Sequence, residues 1–365
     1  MSAVPRIAVI GTVGVPARYG GFETLAEQLA VGITPERAQL LLYCQRSAYP
    51  EVSGSPEFAG HRRVFLPLKA NGPGSMIHDF LALLHAALVG RANVFLVLGY
   101  SGAWALPLIR LLRPGARIVS NIDGMEWRRE KFGPMARRVL RLLESFATCF
   151  SHVVIADNAA LMVLARQLHG IDTVLIAYGG DHTLVPPGSS ALEPGYVLSI
   201  ARIEPENNSH VILAACARSA VRLVFVGNWT ASTYGRQLQQ RYRGSPNLTL
   251  LDPVYDQSTL AAIRLGAVAY VHGHSVGGSN PSLIEAVFHS SRILAYDCSF
   301  NRATLEESGA YFATEDALVQ LLAQSESGRI AKEPLGALRQ RYRWKDIVDA
   351  YLRVCVGAAG DRHNV

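Results

Sequence analysis

A glycine-rich loop near the start of the chain has the composition of a ligand-binding loop. An apolar segment at residues 6–10 precedes it, and apolar residues at helical spacing begin at Leu25, which predicts a strand, a loop and a helix. The loop residues that could contact a ligand are Gly11, Gly14, Arg18, Tyr19, Gly20 and Gly21. Glycines let a ligand approach the backbone, and the start of the next helix presents N–H groups to an anion. The pattern favours phosphate or sugar binding over a plain tight turn.

The glycine spacing argues against a nicotinamide or flavin enzyme. The dinucleotide fingerprint requires G-x-G-x-x-G and an acidic residue about 20 residues later. Here the first spacing is G-x-x-G, and the second predicted strand, 39–44, ends in Cys44, Gln45 and Arg46. The sequence also has no G-x-x-x-x-G-K-[ST] phosphate loop.

A second glycine-rich loop, residues 273–280, also lies between a predicted strand and a predicted helix. Asn280 suits the helix cap, and we expect the N–H groups of Ser282 and Leu283 to be free for a phosphate. Glu285, one turn inside the helix, either accepts hydrogen bonds from ribose hydroxyls or only complements the helix dipole. Two loops of one type, one in each half of the chain, favour a nucleotide-sugar site.

Two carboxylates and an aromatic ring follow the predicted strand 117–121. Asp123 and Glu126 can accept hydrogen bonds from sugar hydroxyls, and Trp127 can cover a C–H face of the ring. A surface turn is the alternative interpretation. A carboxylate at the carboxyl edge of the sheet would also stabilise positive charge near the anomeric carbon. We therefore predict that Asp123 is catalytic, with Glu126 as the next candidate.

Histidines and cysteines form no recognisable metal site. His272 and His274 alternate at the end of a predicted strand, but no third ligand lies at suitable spacing. The five cysteines are scattered without a C-x-x-C pair, which is typical of thiols in a reducing compartment. We expect no metal, and we expect the histidines to bond to a sugar or to the backbone.

Length and composition describe a globular protein of two domains. The chain has 365 residues, of which 49% are hydrophobic and 18% charged. No apolar run reaches the ~18 residues of a spanning helix, and the start lacks the pattern of a signal peptide. A cytoplasmic location is therefore expected.

The net charge of +6 lies mostly in the first half of the chain. Six basic residues are clustered there: Arg128, Arg129, Lys131, Arg137, Arg138 and Arg141. A solvated helix face is one interpretation, and a surface for anionic lipid head groups or a pyrophosphate-linked acceptor is the other. No nucleic-acid recognition motif accompanies the cluster, so nucleic acid is not an expected partner.

Strands and helices alternate along the chain in two successive series. This pattern predicts two doubly wound parallel sheets of α/β type, separated by a Pro- and Gly-rich linker at residues 185–190. We expect an N-terminal domain over 1–187, a C-terminal domain over 188–342, and a helix and frayed tail over 343–365. A ligand cleft is expected between the carboxyl ends of the two sheets.

Four segments carry a resemblance to a known family: 11–24, 121–127, 201–208 and 273–286. In these the chain resembles GT-B glycosyltransferases of the large retaining family 4. More narrowly, it resembles the bacterial polysaccharide branch that includes β1-4 rhamnosyltransferases. The segments occur in the family's order and span nearly the whole chain.

The resemblance implies roles for individual residues. The donor-binding residues would be Gly14, Gly20, Gly21, Arg202, Asn207, Tyr255, Gly277, Gly278, Asn280, Ser282, Leu283 and Glu285. Arg202 would hold the donor diphosphate, Glu285 the ribose, and Tyr255 would stack on the base. The acceptor-binding residues would be Arg18, Tyr19 and Trp127. The last helix would return to brace the first domain.

Three positions depart from the wider family's pattern. The family usually has a lysine where this chain has Asn207, an acid where it has Gly277, and a histidine where it has Asp123. These departures indicate a specialised donor site. They also leave two alternatives open: a sugar-nucleotide epimerase or hydrolase on the same fold, and a non-catalytic transferase-like binding partner.

The resemblance also implies an activity. The chain would transfer a sugar, with rhamnose the leading choice, from a nucleotide sugar to a lipid-linked or oligosaccharide acceptor in cell-surface polysaccharide assembly. Retention of configuration is expected, and no cofactor is expected beyond the donor, whether a dTDP-, UDP- or GDP-sugar. The expected location is the inner face of the cell membrane, bound peripherally to anionic lipid.

Overall fold

The computed structural model divides the chain into two compact units. The first comprises Met1–Ala177 together with Trp344–Val365, and the second comprises Tyr178–Arg343. The structure describes residues 4–357 except 19, 52–54, 123, 125, 129–131, 291 and 327–334, and it leaves the side chains of residues 126, 325 and 326 undescribed. Among the described residues, no helix is both long and apolar enough to cross a bilayer.

The first unit is built on an eight-stranded sheet. Its strands are β1 (Arg6–Ile10), β2 (Gln39–Gln45), β3 (Glu57–Phe58), β4 (His61–Leu66), β5 (Val94–Leu98), β6 (Arg117–Ile122), β7 (Val153–Ala156) and β8 (Val174–Leu175). Its helices are α1 (Gly21–Gly32), α2 (Ser75–Leu88), α3 (Leu106–Leu112), α4 (Pro134–Phe150) and α5 (Ala159–His169). The strand order is β3-β4-β2-β1-β5-β6-β7-β8, and only the short β3 pairs antiparallel to its neighbour.

Burial on both faces explains why the central strands of this sheet are uninterrupted apolar runs. All five residues of β5 are buried, and so are four of the five in β1. The chain turns from one half of the sheet to the other between β1 and β5. Ligands of open α/β sheets bind at the carboxyl ends of the strands at such a switch point. The first glycine loop directly follows β1 and so lies there.

The second unit has a six-stranded sheet in which every pairing is parallel. Its strands are β9 (Tyr196–Ile200), β10 (Leu223–Val226), β11 (Leu248–Leu251), β12 (Ala267–His272), β13 (Ile293–Tyr296) and β14 (Ala310–Phe312). Its helices are α6 (Ser209–Ala217), α7 (Thr233–Tyr242), α8 (Gln257–Leu265), α9 (Pro281–His289), α10 (Ser299–Leu305), α11 (Glu315–Glu326) and α12 (Gly336–Arg341).

The strand order of the second sheet, β11-β10-β9-β12-β13-β14, places its switch point between β9 and β12. The loop with Arg202 follows β9, and the second glycine loop follows β12. These two loops therefore leave neighbouring strands at the same edge of the sheet. The expected fold class, two doubly wound α/β sheets, is confirmed.

The last helix, α13 (Trp344–Val356), packs on the first unit. It contacts α1, and Arg37, in the loop between α1 and β2, donates to Asp349 at 2.8 Å. The hydroxyl of Tyr351 accepts a hydrogen bond from the Asn121 side chain. Residues 178–187, expected in the first domain, lie in the second unit. The reason is local bonding: the Gly180 N–H donates to the carbonyl of Tyr342 at 3.0 Å.

Candidate functional site

The glycines after β1 are required by close packing within the protein. Gly11 and Gly14 have φ angles of 99° and 132°, a region that side chains rarely adopt. A Cβ on Gly14 would lie 2.7 Å from the Cys44 sulfur, and one on Gly11 would collide with the carbonyl of Leu98. These positions bring the loop down onto the ends of β2 and β5.

A buried carboxylate that sequence reasoning missed holds this loop. Glu23, the third residue of α1, is 8% exposed and accepts a hydrogen bond from the Val13 N–H at 2.8 Å. Burial raises its pKa, and the bond from Val13 opposes that rise. A Cβ on Gly20 would collide with this carboxylate, and Gly21 begins the helix. The available signal was an acidic residue in the first turn of a helix that follows a glycine loop.

Arg18 is bound to the segment that follows β2. Its Nη1 donates to the carbonyl of Ala48 at 3.0 Å, its guanidinium pairs with Glu51, and it lies 5.0 Å from the centre of the Tyr49 ring. The side chain is still 49% exposed. Tyr19, its predicted partner in acceptor binding, lies outside the described residues.

The loop after β6 carries the predicted catalytic group. Asp123 lies outside the described residues, as does the side chain of Glu126, whose backbone begins a short 3₁₀ helix. Trp127 is described, and its indole N–H donates to Glu144 at 3.0 Å. The second oxygen of Glu144 lies 2.6 Å from Nε2 of His169. The polar end of Trp127 is thus bonded within the protein, which fixes the end of this loop.

In the second unit, side-chain bonds join the loop after β9 to the loop after β12. The Asn207 amide donates to the carbonyl of Arg202 at 2.6 Å, and its oxygen bonds to the His274 ring. The neighbouring Asn208 donates to the carbonyl of Gly273 at 2.8 Å. Asn207, which stands where the resembled family has a lysine, therefore ties two loops together at the switch point.

Arg202 and Tyr255 are two exposed residues at this edge of the sheet. The Arg202 side chain is 48% exposed, and its Nε lies 3.9 Å from a carboxylate oxygen of Glu204. Tyr255 is 63% exposed in the loop between β11 and α8. A cation and an aromatic face are thus accessible at the carboxyl edge of one sheet.

The start of α9 differs from the sequence expectation. The Asn280 side chain accepts a hydrogen bond from the Ser282 N–H at 3.1 Å, and its carbonyl accepts one from the Leu283 N–H at 3.0 Å. The expectation that these two N–H groups are free was wrong, because the asparagine cap satisfies both. Gly277, with φ of 126°, and the buried Gly278 precede the cap.

Glu285 is the centre of a group of ionisable side chains. It pairs through Oε2 with Arg264 of α8, and its Oε1 lies 3.6 Å from Nε2 of His182. The Glu285 side chain is 16% exposed and that of Arg264 is 5% exposed. Burial raises the pKa of Glu285, whereas the Arg264 guanidinium opposes the rise. Burial and then Arg264 lower the pKa of His182 to about 4, so this imidazole is neutral at pH 7.

Sequence reasoning missed Arg264 and His182. The only signal for Arg264 was one cation among apolar residues at the end of a predicted helix, and its partner lies 21 positions away. His182 occupies a segment that was expected in the other domain.

The two histidines at the end of β12 are buried. Burial holds the pKa of His272 well below its usual value, and His274 lowers it further. His274 is 9% exposed, and its ring bonds to the Asn207 side chain. Within the part of the chain that the structure describes, no cluster of three or more His, Cys, Asp or Glu side chains could hold a metal ion.

Comparison with known proteins gives one family match and a fold assignment for the chain. Residues 4–181 match a protein family described as "Domain of unknown function (DUF1972)". A search of curated proteins finds no match.

Solved structures match nearly the whole chain. Sucrose-phosphate synthase from Thermosynechococcus elongatus gives a TM-score of 0.76 at 17% identity, over 95% of this chain and 97% of that one. The chain has the GT-B fold. Anabaena HepE in complex with UDP and glucose gives a TM-score of 0.69 at 15% identity, over 95% and 98% of the two chains. The lipopolysaccharide outer core galactosyltransferase WaaB gives 0.66 at 14%, over 96% and 98%. At these identities the likeness concerns the GT-B fold alone.

Proposed function

We propose that this GT-B chain is a glycosyltransferase that uses a nucleotide sugar. The observation that carries the proposal is the edge of the second sheet. There the loops after β9 and β12 are bonded together, with an exposed guanidinium on Arg202 and a carboxylate on Glu285 in the helix that follows. A fixed cation suits a diphosphate, and a carboxylate suits ribose hydroxyls.

The fold comparisons support a nucleotide-sugar ligand. HepE has been solved with UDP, with UDP and glucose, and with UDP-glucose. Its likeness to this chain extends over 95% of the chain in the first two complexes. Bound UDP in a protein of the same fold supports a nucleoside diphosphate as the ligand of the second unit here.

The charges that develop during sugar transfer indicate a role for each of the candidate site residues. Negative charge grows on the departing diphosphate, and Arg202 would stabilise it more in the transition state than in the ground state. Gly277 and Gly278 would let the phosphates approach the loop backbone. Tyr255 would stack on the base, and Asp123 or Glu126 would stabilise positive charge on the sugar. The proposed reaction proceeds with retention, with rhamnose as the leading sugar.

The acceptor is proposed to be lipid-linked or an oligosaccharide, and α4 supports attachment to an anionic membrane surface. Met135, Val139 and Leu142 share one face of this helix and are 71%, 38% and 58% exposed. Arg138 and Arg141 are exposed on the same helix. Apolar residues flanked by arginines suit a surface of anionic lipid.

Vesicle binding tests the membrane proposal. We expect cosedimentation with phosphatidylserine-containing vesicles that falls at high salt and falls in Arg138→Gln/Arg141→Gln, by about 1 kcal/mol per arginine. The matched control is Arg241→Gln/Arg243→Gln, which neutralises two exposed arginines of the second unit. Equal loss in both variants, or no binding by the wild type at low salt, contradicts the proposal.

Calorimetry followed by turnover assays tests the activity. We expect purified protein to bind one of UDP, dTDP or GDP and to release that nucleotide from its sugar only when a suitable acceptor is present. Release without acceptor would instead indicate a hydrolase. Nucleotide binding without turnover on any acceptor would indicate a non-catalytic partner, and binding of none of the three nucleotides would contradict the proposed function.

A further inference from the structure

We propose that Arg264 is a positioning residue that keeps Glu285 ionised and leaves its Oε1 as the oxygen that receives a ribose hydroxyl. The inference rests on the proposed nucleotide site in the second unit. It adds a residue that no sequence motif indicated, and it explains how a carboxylate can remain charged at a buried position.

The geometry divides the two oxygens of Glu285 between two partners. Oε2 pairs with Nη2 of Arg264, while Oε1 faces Nε2 of His182 at 3.6 Å, beyond direct hydrogen-bond distance. Arg264 approaches from α8 and His182 from the segment Asp181–Thr183. Oε1 is thus the less engaged oxygen of the carboxylate.

The ion pair of Arg264 and Glu285 is shielded from solvent, so each charge is stabilised by the other. Arg264 is 5% exposed, and Glu285 is its one ion-pair partner among the residues that the structure describes. A buried guanidinium and a buried carboxylate each cost free energy unless they are paired. Removing the guanidinium therefore favours the protonated carboxyl group, which presents a donor where the ribose hydroxyl requires an acceptor.

The surrounding ionisable groups do not change charge near neutral pH. Burial, with Arg264, lowers the pKa of His289 to about 4, as it does for His182, so both imidazoles are neutral above pH 5.5. Burial raises the pKa of Tyr270 to about 12, so the phenol is neutral as well. Arg339, on α12, is a further cation that lowers the pKa of His289. Burial is the larger cause of both histidine shifts and remains when Arg264 is removed, so Glu285 is the group of this cluster whose ionisation depends most directly on the guanidinium.

The direction of two pH effects follows. Without Arg264 the pKa of Glu285 rises further, so nucleotide affinity falls at low pH and recovers as the pH increases. A carboxyl group whose pKa is raised in the folded state binds its proton more tightly folded than unfolded. The stability of the variant therefore falls as the pH rises through that pKa. Affinity and stability thus change in opposite directions with pH, which loss of packing alone would not produce.

The experiment measures by calorimetry the affinity for one nucleotide from pH 5.5 to 8.5. The nucleotide is UDP, dTDP or GDP, whichever the wild type binds most tightly. Phosphate itself titrates near pH 6, so the quantity compared is the ratio of variant to wild-type affinity at each pH. We expect this ratio for Arg264→Met to increase about tenfold or more across the range, as for a pKa moved by one unit or more. In Glu285→Gln the ratio should be constant, and Arg264→Lys should restore most of the wild-type profile, because the ion pair uses a single nitrogen.

Thermal unfolding of the same variants gives the second readout. We expect the melting temperature of Arg264→Met to fall as the pH rises, compared with that of Arg264→Met/Glu285→Gln. The double variant has no carboxylate at position 285 to titrate. If Arg264→Met does not fold, Arg264→Gln is measured with the same expected trends. A constant affinity ratio across the pH range in the folded variant overturns the inference. Failure of the wild type to bind any of the three nucleotides contradicts the proposed function instead, while the unfolding data still test the coupling of Arg264 to Glu285.

Discussion

The two glycine loops lie at the switch points of their sheets, one after β1 and the other after β12, but their polar groups are used differently. In the first loop, Gly11 and Gly14 are pressed onto neighbouring strands and the Val13 N–H is bonded to Glu23. In the second unit, Asn207 and Asn208 bond the loops together and leave Arg202 half-exposed. The same strand, glycine loop and helix pattern therefore gives a tightly packed loop in one unit and a candidate anion site in the other.

The buried carboxylates of the two helices show the same difference. Glu23 accepts a backbone N–H of its own loop, so its partner is fixed by local structure. Glu285 pairs with an arginine from another helix and keeps one oxygen less engaged. A glycine-rich motif therefore predicts that another group packs closely against its backbone. The surrounding side chains determine whether that group belongs to the protein or to a ligand.

The largest expected effect is on stability and comes from the first loop. Gly11→Ala places a Cβ against the backbone carbonyl of Leu98 at a positive φ, so we expect a loss of about 3 kcal/mol or more in the free energy of unfolding. The control is Gly244→Ala, which also has a positive φ but has open space around it, with a loss of about 1 kcal/mol. Denaturant unfolding measures both, and equal losses would contradict the packing role of the first loop.

The next effect separates chemistry from binding. Asp123→Asn keeps the shape of the side chain and removes its charge, so we expect kcat to fall about 100-fold with donor affinity nearly unchanged. Steady-state kinetics and calorimetry measure the two quantities. If kcat survives and donor affinity falls, Asp123 is a binding residue and Glu126 becomes the leading catalytic candidate.

A smaller effect compares the two buried carboxylates. Glu285→Gln should weaken nucleoside diphosphate binding by about 1–3 kcal/mol, as for a lost charge-assisted hydrogen bond. Glu23→Gln is the matched control, and it should lower the melting temperature while leaving nucleotide affinity unchanged, because its carboxylate bonds to the loop backbone. Unchanged affinity in Glu285→Gln would reduce Glu285 to a partner of Arg264.

The regular elements could be predicted from the sequence because their signals are local. The long apolar strands and the helices between them occur nearly where periodicity predicts them, since strands buried on both faces are continuous apolar runs. The short strands β3, with two residues, and β14, with three, were missed, as were α10, α11 and α12. So short a strand is stabilised by pairing with its neighbour rather than by its own pattern.

The site could be predicted only as far as local spacing determines it. The cap by Asn280 was predicted, but its occupation of both N–H groups was not, because capping and ligand binding compete for the same donors. The bond of Asn207 to His274 joins residues 67 positions apart. Such pairs depend on the distance between two loops in the folded sheet. That distance cannot be read from the spacing of residues along a single sequence.

The most direct test of the central claim compares two arginines of equal exposure, one in each loop region. Arg202 is 48% exposed and Arg18 is 49% exposed, so Arg202→Ala and Arg18→Ala remove the same charge from side chains of similar exposure. Titration with the nucleoside diphosphate that the wild type binds should show affinity about 10- to 100-fold weaker in Arg202→Ala, as for loss of a charge-assisted contact to phosphate, and nearly unchanged in Arg18→Ala. Equal affinities in the two variants, or a loss confined to Arg18→Ala, would contradict a nucleotide site on the second unit.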